Sequence, residues 1–484
     1  MKKLKFNTKS ILLFLIIMTG LVACSSNNDE ENSAAFDVSA TLIEFDANAA
    51  TNTINVTSES PWTATASGDW VHLSKSGAPK TSSITVGVQA NPTAVERTVT
   101  ITISNNTNSK EVKVTQAAGT EEPDPTTPTV ESSIPPDEEG MRDLNSVQMT
   151  AELKVGWNLG NSLDAIGGET AWGNPVVSKT LIDAVKAAGF NAVRIPVAWS
   201  QFSDESTFTI KEEWMNRVEE VVNYVLDIDM YVIINIHWDN GWIQPTSADE
   251  EYVNDRLEKM WQQIAIHFRD YDDHLLFAGT NEVMVDGDYG TPTEEYYTVQ
   301  NGYNQTFVNT VRATGGKNHY RHLVVQGFNT NIDYAVNFAE IPTDVVDNRI
   351  TMEIHYYDPY NFSLSENSEI TQWGKNATDP DLTETWANED YADAQFEKMK
   401  TNFIDKGIGV IMGEYGAIAR TEVAGYEEYR KYYLEYITKA ASSRGVVPFY
   451  WDNGYTGNFG MGLFDRATGE IAYPEIVTAI INED

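Results

Sequence analysis

The sequence predicts a mixed fold: a large α/β barrel preceded by a small all-β sandwich. Three observations predict it. Residues 36–118 carry short runs in which apolar and polar side chains alternate, with no helical period. From Met141 onward, apolar strand-like runs alternate with amphipathic helical ones. Between the two regions lies a stretch too rich in proline and acid to build either.

In the first region the runs 53–56, 84–88, 98–103 and 111–114 alternate with period two, so each strand offers one apolar face. Turn residues at 67–69 and at Asn105-Asn106 separate them, giving a sandwich of Ig-like size. Pro61-Trp62, Asp69-Trp70, the segment 91–97 and Val114-Thr115-Gln116 resemble the BACON domain over residues 36–118. That resemblance suggests carbohydrate binding, but Trp62 and Trp70 read better as core, and the module as a spacer. Residues 119–140 form the linker. Its main part, 121–140, holds five prolines, seven acidic residues and no basic one, which predicts an extended, partly stiff hinge.

In the second region, 141–484, strand-like runs fall at 153–157, 192–196, 231–237, 275–279, 323–326, 350–355, 410–413 and 447–451. Helical patterns such as 211–227, 253–269, 296–313 and 426–442 lie between them. Eight such units fit a (β/α)8 TIM barrel. A doubly wound sheet is the alternative, but Gly156-Trp157-Asn158-Leu159-Gly160 lacks the spacing of a phosphate-binding loop.

Charge narrows the partners. The chain has 33 Lys+Arg against 71 Asp+Glu, a net charge of −38, which repels phosphate backbones and argues against nucleic acid. A single cysteine excludes an intrachain disulfide and any cysteine-rich metal site. That cysteine follows a signal-like segment. Lys2, Lys3, Lys5 and Lys9 precede an apolar run at 11–23 that is short for a bilayer span. Leu21-Val22-Ala23-Cys24 resembles the bacterial lipobox, which implies removal of residues 1–23 and lipidation of Cys24. Residues 24–35 then form a polar, acidic tether resembling the export signal of surface lipoproteins. The expected protein is a monomeric outer-membrane lipoprotein facing the cell surface, touching the membrane through its lipid alone.

Chemistry in such barrels sits where the strands end. Those ends read Asn158, Arg194, His237, Asn281-Glu282, His355-Tyr356-Tyr357, Glu414 and Trp451-Asp452. Two of the seven histidines fall there. Glu282 after strand four and Glu414 after strand seven stand on opposite sides of the mouth, where a carboxylate pair can cleave a glycosidic bond. Arg194 and the Tyr357 hydroxyl are placed to hold Glu414 ionised, and its negative field to keep Glu282 protonated. Glu353, two residues before His355, lies one layer deeper by strand parity and reads as a supporting group.

Arg194, His237, Asn281-Glu282, His355, Tyr357, Glu414 and Trp451 together resemble glycoside hydrolase family 5, along the whole barrel. The stretches 156–161 (Gly-Trp-Asn-Leu-Gly-Asn), Trp172-Gly173-Asn174-Pro175 and His319-Tyr320-Arg321-His322 are similar to its subfamily 4. The resemblance implies a retaining endo-β-1,4-glucanase with Glu282 as acid/base and Glu414 as nucleophile. It further implies that Asn281 binds the 2-hydroxyl, that His237 and His355 orient sugar and carboxylates, and that Trp451 stacks under the sugar. No metal and no cofactor enter this chemistry.

Eight tryptophans of the barrel region, Trp157, Trp172, Trp199, Trp238, Trp242, Trp373, Trp386 and Trp451, fall at strand ends or in the loops beyond, as an aromatic cleft for a neutral β-glucan requires. Trp172 and Trp238 are the binding candidates among the loop rings. The long loop after His355 carries Tyr356, Tyr360, Phe362, Trp373 and Trp386, an aromatic rim broad enough for a branched glucan such as xyloglucan. Rival readings are a general endoglucanase, a mannanase or xylanase, a metallohydrolase using His237, His355 and the glutamates, and a glycan-binding lipoprotein without activity.

Overall fold

The computed structural model describes residues 36–482 except 69, 90, 92–94 and 119–131. Cys24, the signal segment, the tether and the first part of the linker therefore lie outside the described residues. The chain divides into two compact units.

The N-terminal unit is built on two sheets. A four-stranded sheet runs Asp37–Val38, Ala50–Thr57, Ser82–Val88, Val71–Leu73, and a five-stranded one runs Leu42–Phe45, Ser109–Gln116, Arg97–Asn105, Trp62–Ala66, Gly77–Ala78. The period-two pattern has the expected result: Ile54, Val56, Ile84, Val86, Ile101, Ile103, Val112 and Val114 are wholly buried. Trp62 is core, its indole N–H donating to the Lys80 carbonyl at 2.8 Å. Trp70 is only half-buried, with the Arg97 guanidinium 4.3 Å above its ring.

The C-terminal unit is a closed barrel of eight parallel strands, here β1 (Gly156–Leu159), β2 (Ala192–Ile195), β3 (Tyr231–Asn235), β4 (Leu275–Ala278), β5 (Leu323–Gln326), β6 (Ile350–Tyr356), β7 (Gly409–Tyr415) and β8 (Val446–Asp452). Alternation sorts each strand between two cores. Ala192, Ile233, Leu276, Ala278, Val324, Ile411 and Phe449 fill the barrel, and the other parity packs beneath the helices.

Two expectations are corrected here. The first strand begins at Gly156, because Leu153 closes a helix, Ser146–Leu153. Asn145 and Gln148 form a capping box at its start, the local signal that the apolar run hid. Met149 and Leu153 of that helix pack with the barrel-filling residues. The linker, for its part, is not extended hinge throughout. Ile134–Pro136 pairs in parallel with Gly315–Gly316, which places it in the barrel unit. Gly315 is required there: it sits at φ +68°, and a Cβ would lie 1.8 Å from the Ile134 carbonyl oxygen.

Candidate active site

Strand parity delivers the polar side chains to the barrel mouth. Asn158, Arg194, Asn235, Gln326, Glu353 and His355 all share the inward parity of their strands. Glu414 does not, since Ile411 faces inward and lies three residues earlier. A bulge resolves the mismatch. Met412 pairs with Ile354 while Glu414 pairs with His355, so Gly413 is the extra residue and Glu414 turns inward after it. Gly413 must be glycine, because a Cβ there would lie 1.9 Å from Glu353 Oε1.

Arg194 is the hub. Its guanidinium is fully buried, and Nη1 donates to Asn158 Oδ1 and to Glu414 Oε1, both at 3.0 Å. Nη2 donates to Asn281 Oδ1 at 2.5 Å, and Nε lies 3.0 Å from Glu353 Oε1. The Tyr357 hydroxyl donates to Glu414 Oε2 at 3.1 Å. His355 joins the carboxylates: Nδ1 lies 2.7 Å from Glu282 Oε1 and 3.7 Å from Glu414 Oε2, and Nε2 lies 3.2 Å from Glu353 Oε1. One ligand-type atom from each of Glu282, His355 and Glu414 falls within 4.8 Å of the other two. Such a trio is compact enough to hold an ion, yet both ring nitrogens of His355 already face carboxylates.

Three carboxylates share this pocket with one guanidinium and one imidazole, so a proton must be held. Burial opposes charge on His355, but Glu414, Glu282 and Glu353 outweigh it and raise the ring to about 10. Burial and the other two carboxylates push Glu414 up to about 7, against the pull of His355 and Arg194. Glu282 is opposed by burial as well, yet His355 and Arg194 bring it below the ordinary carboxylate value. The direct contact with His355, at 2.7 Å against 3.7 Å for Glu414, is what sets Glu282 apart. The sequence argument placed the proton on Glu282; in the free protein it rests on His355, across a 2.7 Å contact from Glu282.

His237 is a separate case. Burial and the charge of Arg194 push it well below its usual value, so the ring is neutral. The Asn235 Oδ1 accepts from the Val197 N–H, so its amide nitrogen donates to His237 Nδ1 at 3.3 Å. The His237 proton therefore sits on Nε2. The ring lies parallel to Trp451, centroids 5.6 Å apart, with 8° between the planes.

The aromatic expectation divides. Trp172 and Trp238 are 46% and 54% exposed. Trp451 and Trp242 are half-buried. Trp157, Trp199 and Trp373 are core and are withdrawn as cleft residues; their indole N–H groups donate to Asp452 Oδ2, the Asn235 carbonyl and the Ala387 carbonyl. Trp157 has outward strand parity, which packs it beneath the helices. Tyr356 ends β6 rather than joining the loop, and it is buried, as are Phe362 and Trp373 of the loop; Tyr360 at 60% and Trp386 at 45% exposure are left as the rim.

Three residues of the site have no role in the sequence reading, although Asn158 stands among its strand ends and Asn174 in one of its motifs. Asn158 orients Arg194 and donates to the Gly413 carbonyl at 2.8 Å, tying the hub to the bulge. Its inward parity on β1 was the available signal. Asn174 donates to the Asn161 and Asn453 carbonyls at 2.8 and 3.0 Å, strapping the loop after β1 to the loop after β8. Gln326, at the end of β5, accepts from the Glu282 backbone N–H at 3.0 Å.

Fold and site together define a class: a barrel glycoside hydrolase with two facing carboxylates at the strand ends. The cellulase model of glycosyl hydrolase family 5 matches residues 158–457, and the chain belongs to that family. It is an endo-acting, retaining glycoside hydrolase. The BACON model matches residues 60–117. The chain is 42% identical to the xyloglucan-specific endo-beta-1,4-glucanase BoGH5A of Bacteroides ovatus, over 97% of this chain and 95% of that one. The solved Bacteroides ovatus GH5 xyloglucanase, in complex with a XXXG heptasaccharide, superposes with a TM-score of 0.70 at 42% identity, covering 93% of this chain and 99% of that one. The GH5-4 broad specificity endoglucanase from Bacteroides salanitronis gives 0.68 at 40% identity, covering 71% and 96%.

Proposed function

We propose that this protein cleaves xyloglucan internally, with Glu414 as nucleophile and Glu282 as general acid/base. The observation that carries the catalytic roles is the grouping of the two glutamates with His355 within 4.8 Å. Carboxyl groups about 5–5.5 Å apart suit double displacement, whereas inverting pairs stand about 6.5–9.5 Å apart to admit a water. In the first step the Glu282 carboxylic acid gives its proton to the glycosidic oxygen as the C1–O bond breaks and a Glu414–C1 ester forms. In the second, Glu282 takes a proton from water, whose oxygen attacks C1 and releases Glu414.

The proton held by His355 supplies the acid. Moving it from Nδ1 to Glu282 Oε1 leaves a neutral ring and a carboxylic acid with the site's charge unchanged. A sugar seated in the cleft removes water from the exposed Glu282 side chain, and desolvation favours the neutral acid. Arg194 and Tyr357 keep their hydrogen bonds on Glu414, favouring its ionised form against the burial and the neighbouring carboxylates that raise it. Asn281 is held through its Oδ1 by Arg194, leaving its amide nitrogen to donate to a sugar 2-hydroxyl.

The choice of xyloglucan is supported by the full-length likeness to a xyloglucan-specific enzyme and by the open rim of Tyr360 and Trp386. We further read Cys24 as the site of a lipid anchor that holds a monomeric enzyme on the outer membrane, with the sandwich as spacer. Fractionating cells that express Cys24→Ala checks the anchor: release into the soluble fraction is expected, and unchanged membrane retention contradicts it. Comparing kcat/KM on tamarind xyloglucan and barley β-glucan tests the substrate. A preference for xyloglucan is expected; a preference of about tenfold for the unbranched polymer would replace it with a general endoglucanase and leave the mechanism standing.

A further inference from the structure

Glu282 has an unusual backbone. Its φ is +48°, in the left-handed region that a non-glycine residue enters only where its surroundings enforce it. Two contacts, one from the end of β5 and one from the segment after it, enforce it here. The Glu282 N–H donates to Gln326 Oε1 at 3.0 Å, and the Asn329 N–H donates to the carbonyl of the next residue, Val283, at 2.9 Å. Gln326 is wholly buried and shares the inward parity of Val324. Its own carbonyl receives the side-chain amides of Asn304 at 2.8 Å and Gln300 at 3.3 Å, so the helix Glu294–Ala313 fixes its position. It is also the register partner of Glu353, the carboxylate that joins Arg194 to His355.

These contacts leave the Glu282 carboxylate to be aimed by two groups. His355 holds its oxygen from one side, and Gln326 holds the peptide that carries it from the other. We infer that Gln326 is a positioning residue for proton donation: by accepting the Glu282 N–H it holds the strained peptide that directs the carboxyl group at the leaving oxygen. The inference rests on the reading of Glu282 as acid/base. Gln326 touches no reacting atom, so its loss should impair the acid and spare both sugar binding and the nucleophile.

Leaving-group dependence separates these effects. The 2,4-dinitrophenolate of a 2,4-dinitrophenyl cellotrioside departs without protonation, whereas the sugar oxygen of xyloglucan needs the acid. The quantity to measure is the ratio of kcat on the aryl glycoside to kcat on xyloglucan, for wild type, Glu282→Ala, Gln326→Met and Gln326→Leu. The ratio cancels the concentration of folded enzyme, so partial misfolding of a variant does not obscure it. The first, glycosylation step should be isolated by pre-steady-state measurement, because Glu282 also serves as base in the second. Both Gln326 variants should raise the ratio about tenfold or more, in the direction of Glu282→Ala, with KM for xyloglucan nearly unchanged. A raised ratio for Glu282→Ala with a wild-type ratio for both Gln326 variants overturns the inference alone. A wild-type ratio for Glu282→Ala overturns the acid/base reading, and the inference with it.

Discussion

The floor of the barrel mouth and its rim are built by opposite means. On the floor, Arg194, Glu353, His355 and Glu414 project from β2, β6 and β7, are almost wholly buried, and hold one another through hydrogen bonds and ion pairs. On the rim, Trp172, Trp238, Tyr360 and Trp386 project from loops and are about half exposed. A floor residue is placed by its strand, through alternation or, for Glu414, through the bulge at Gly413, and by its charged partners together. A rim ring has little but its loop to place it, which suits binding a long polymer but not chemistry requiring sub-ångström placement.

The comparison can be broken at several points. Replacing Glu414 with Ala should lower turnover of xyloglucan by about 10⁴-fold or more, because the covalent step loses its nucleophile. Azide should restore product formation to Glu282→Ala, as a β-glycosyl azide, and not to Glu414→Ala; the reverse pattern would exchange the two roles. Tyr357→Phe removes a donor to the ionised form of Glu414, so that carboxyl group should titrate higher still. Glu414 attacks only when ionised, so activity falls as pH drops through its value of about 7. The acidic limb of the kcat/KM profile should therefore move to higher pH in Tyr357→Phe, and a shift to lower pH would contradict the assigned hydrogen bond.

Two tryptophans of one loop sharpen the contrast between rim and core. Trp373 is buried, so Trp373→Ala should destabilise the barrel by about 3–5 kcal/mol, read from denaturant midpoints. Trp386→Ala should leave stability unchanged and raise KM for xyloglucan by about tenfold or less, with kcat preserved. Equal losses of stability in the two variants would erase the distinction. The smallest effect belongs to the N-terminal module. Deleting residues 1–131 keeps Ile134–Pro136 paired to Gly315–Gly316 and should leave kcat/KM on a soluble glucan within about threefold. A fall of about a hundredfold would mean that the sandwich serves the cleft.

The same contrast explains what could be read in the sequence. Apolar runs alternating with amphipathic helical patterns made the barrel visible, and strand parity placed Glu353 one layer below His355. Parity alone could not place Glu414, because the bulge at Gly413 reverses it; its position at the end of strand seven, opposite Glu282, singled it out. Parity was available for Asn158 and Gln326 and went unused, since neither is a group that performs acid–base chemistry by itself. The loop after β6 has no period, so position in the chain could not separate Trp373, whose N–H is claimed by the Ala387 carbonyl, from the exposed Trp386. The free-state location of the proton was hidden for a different reason. It depends on His355 lying between three carboxylates at once, a fact of three-dimensional charge density.

Trapping the covalent intermediate tests the central claim most directly. Incubation with an activated 2-deoxy-2-fluoro cello-oligosaccharide slows the second step, and peptide mapping by mass spectrometry then locates the ester. The account predicts one equivalent of label, on the peptide containing Glu414. Label on Glu282 or Glu353, or inactivation without any covalent adduct, would contradict it.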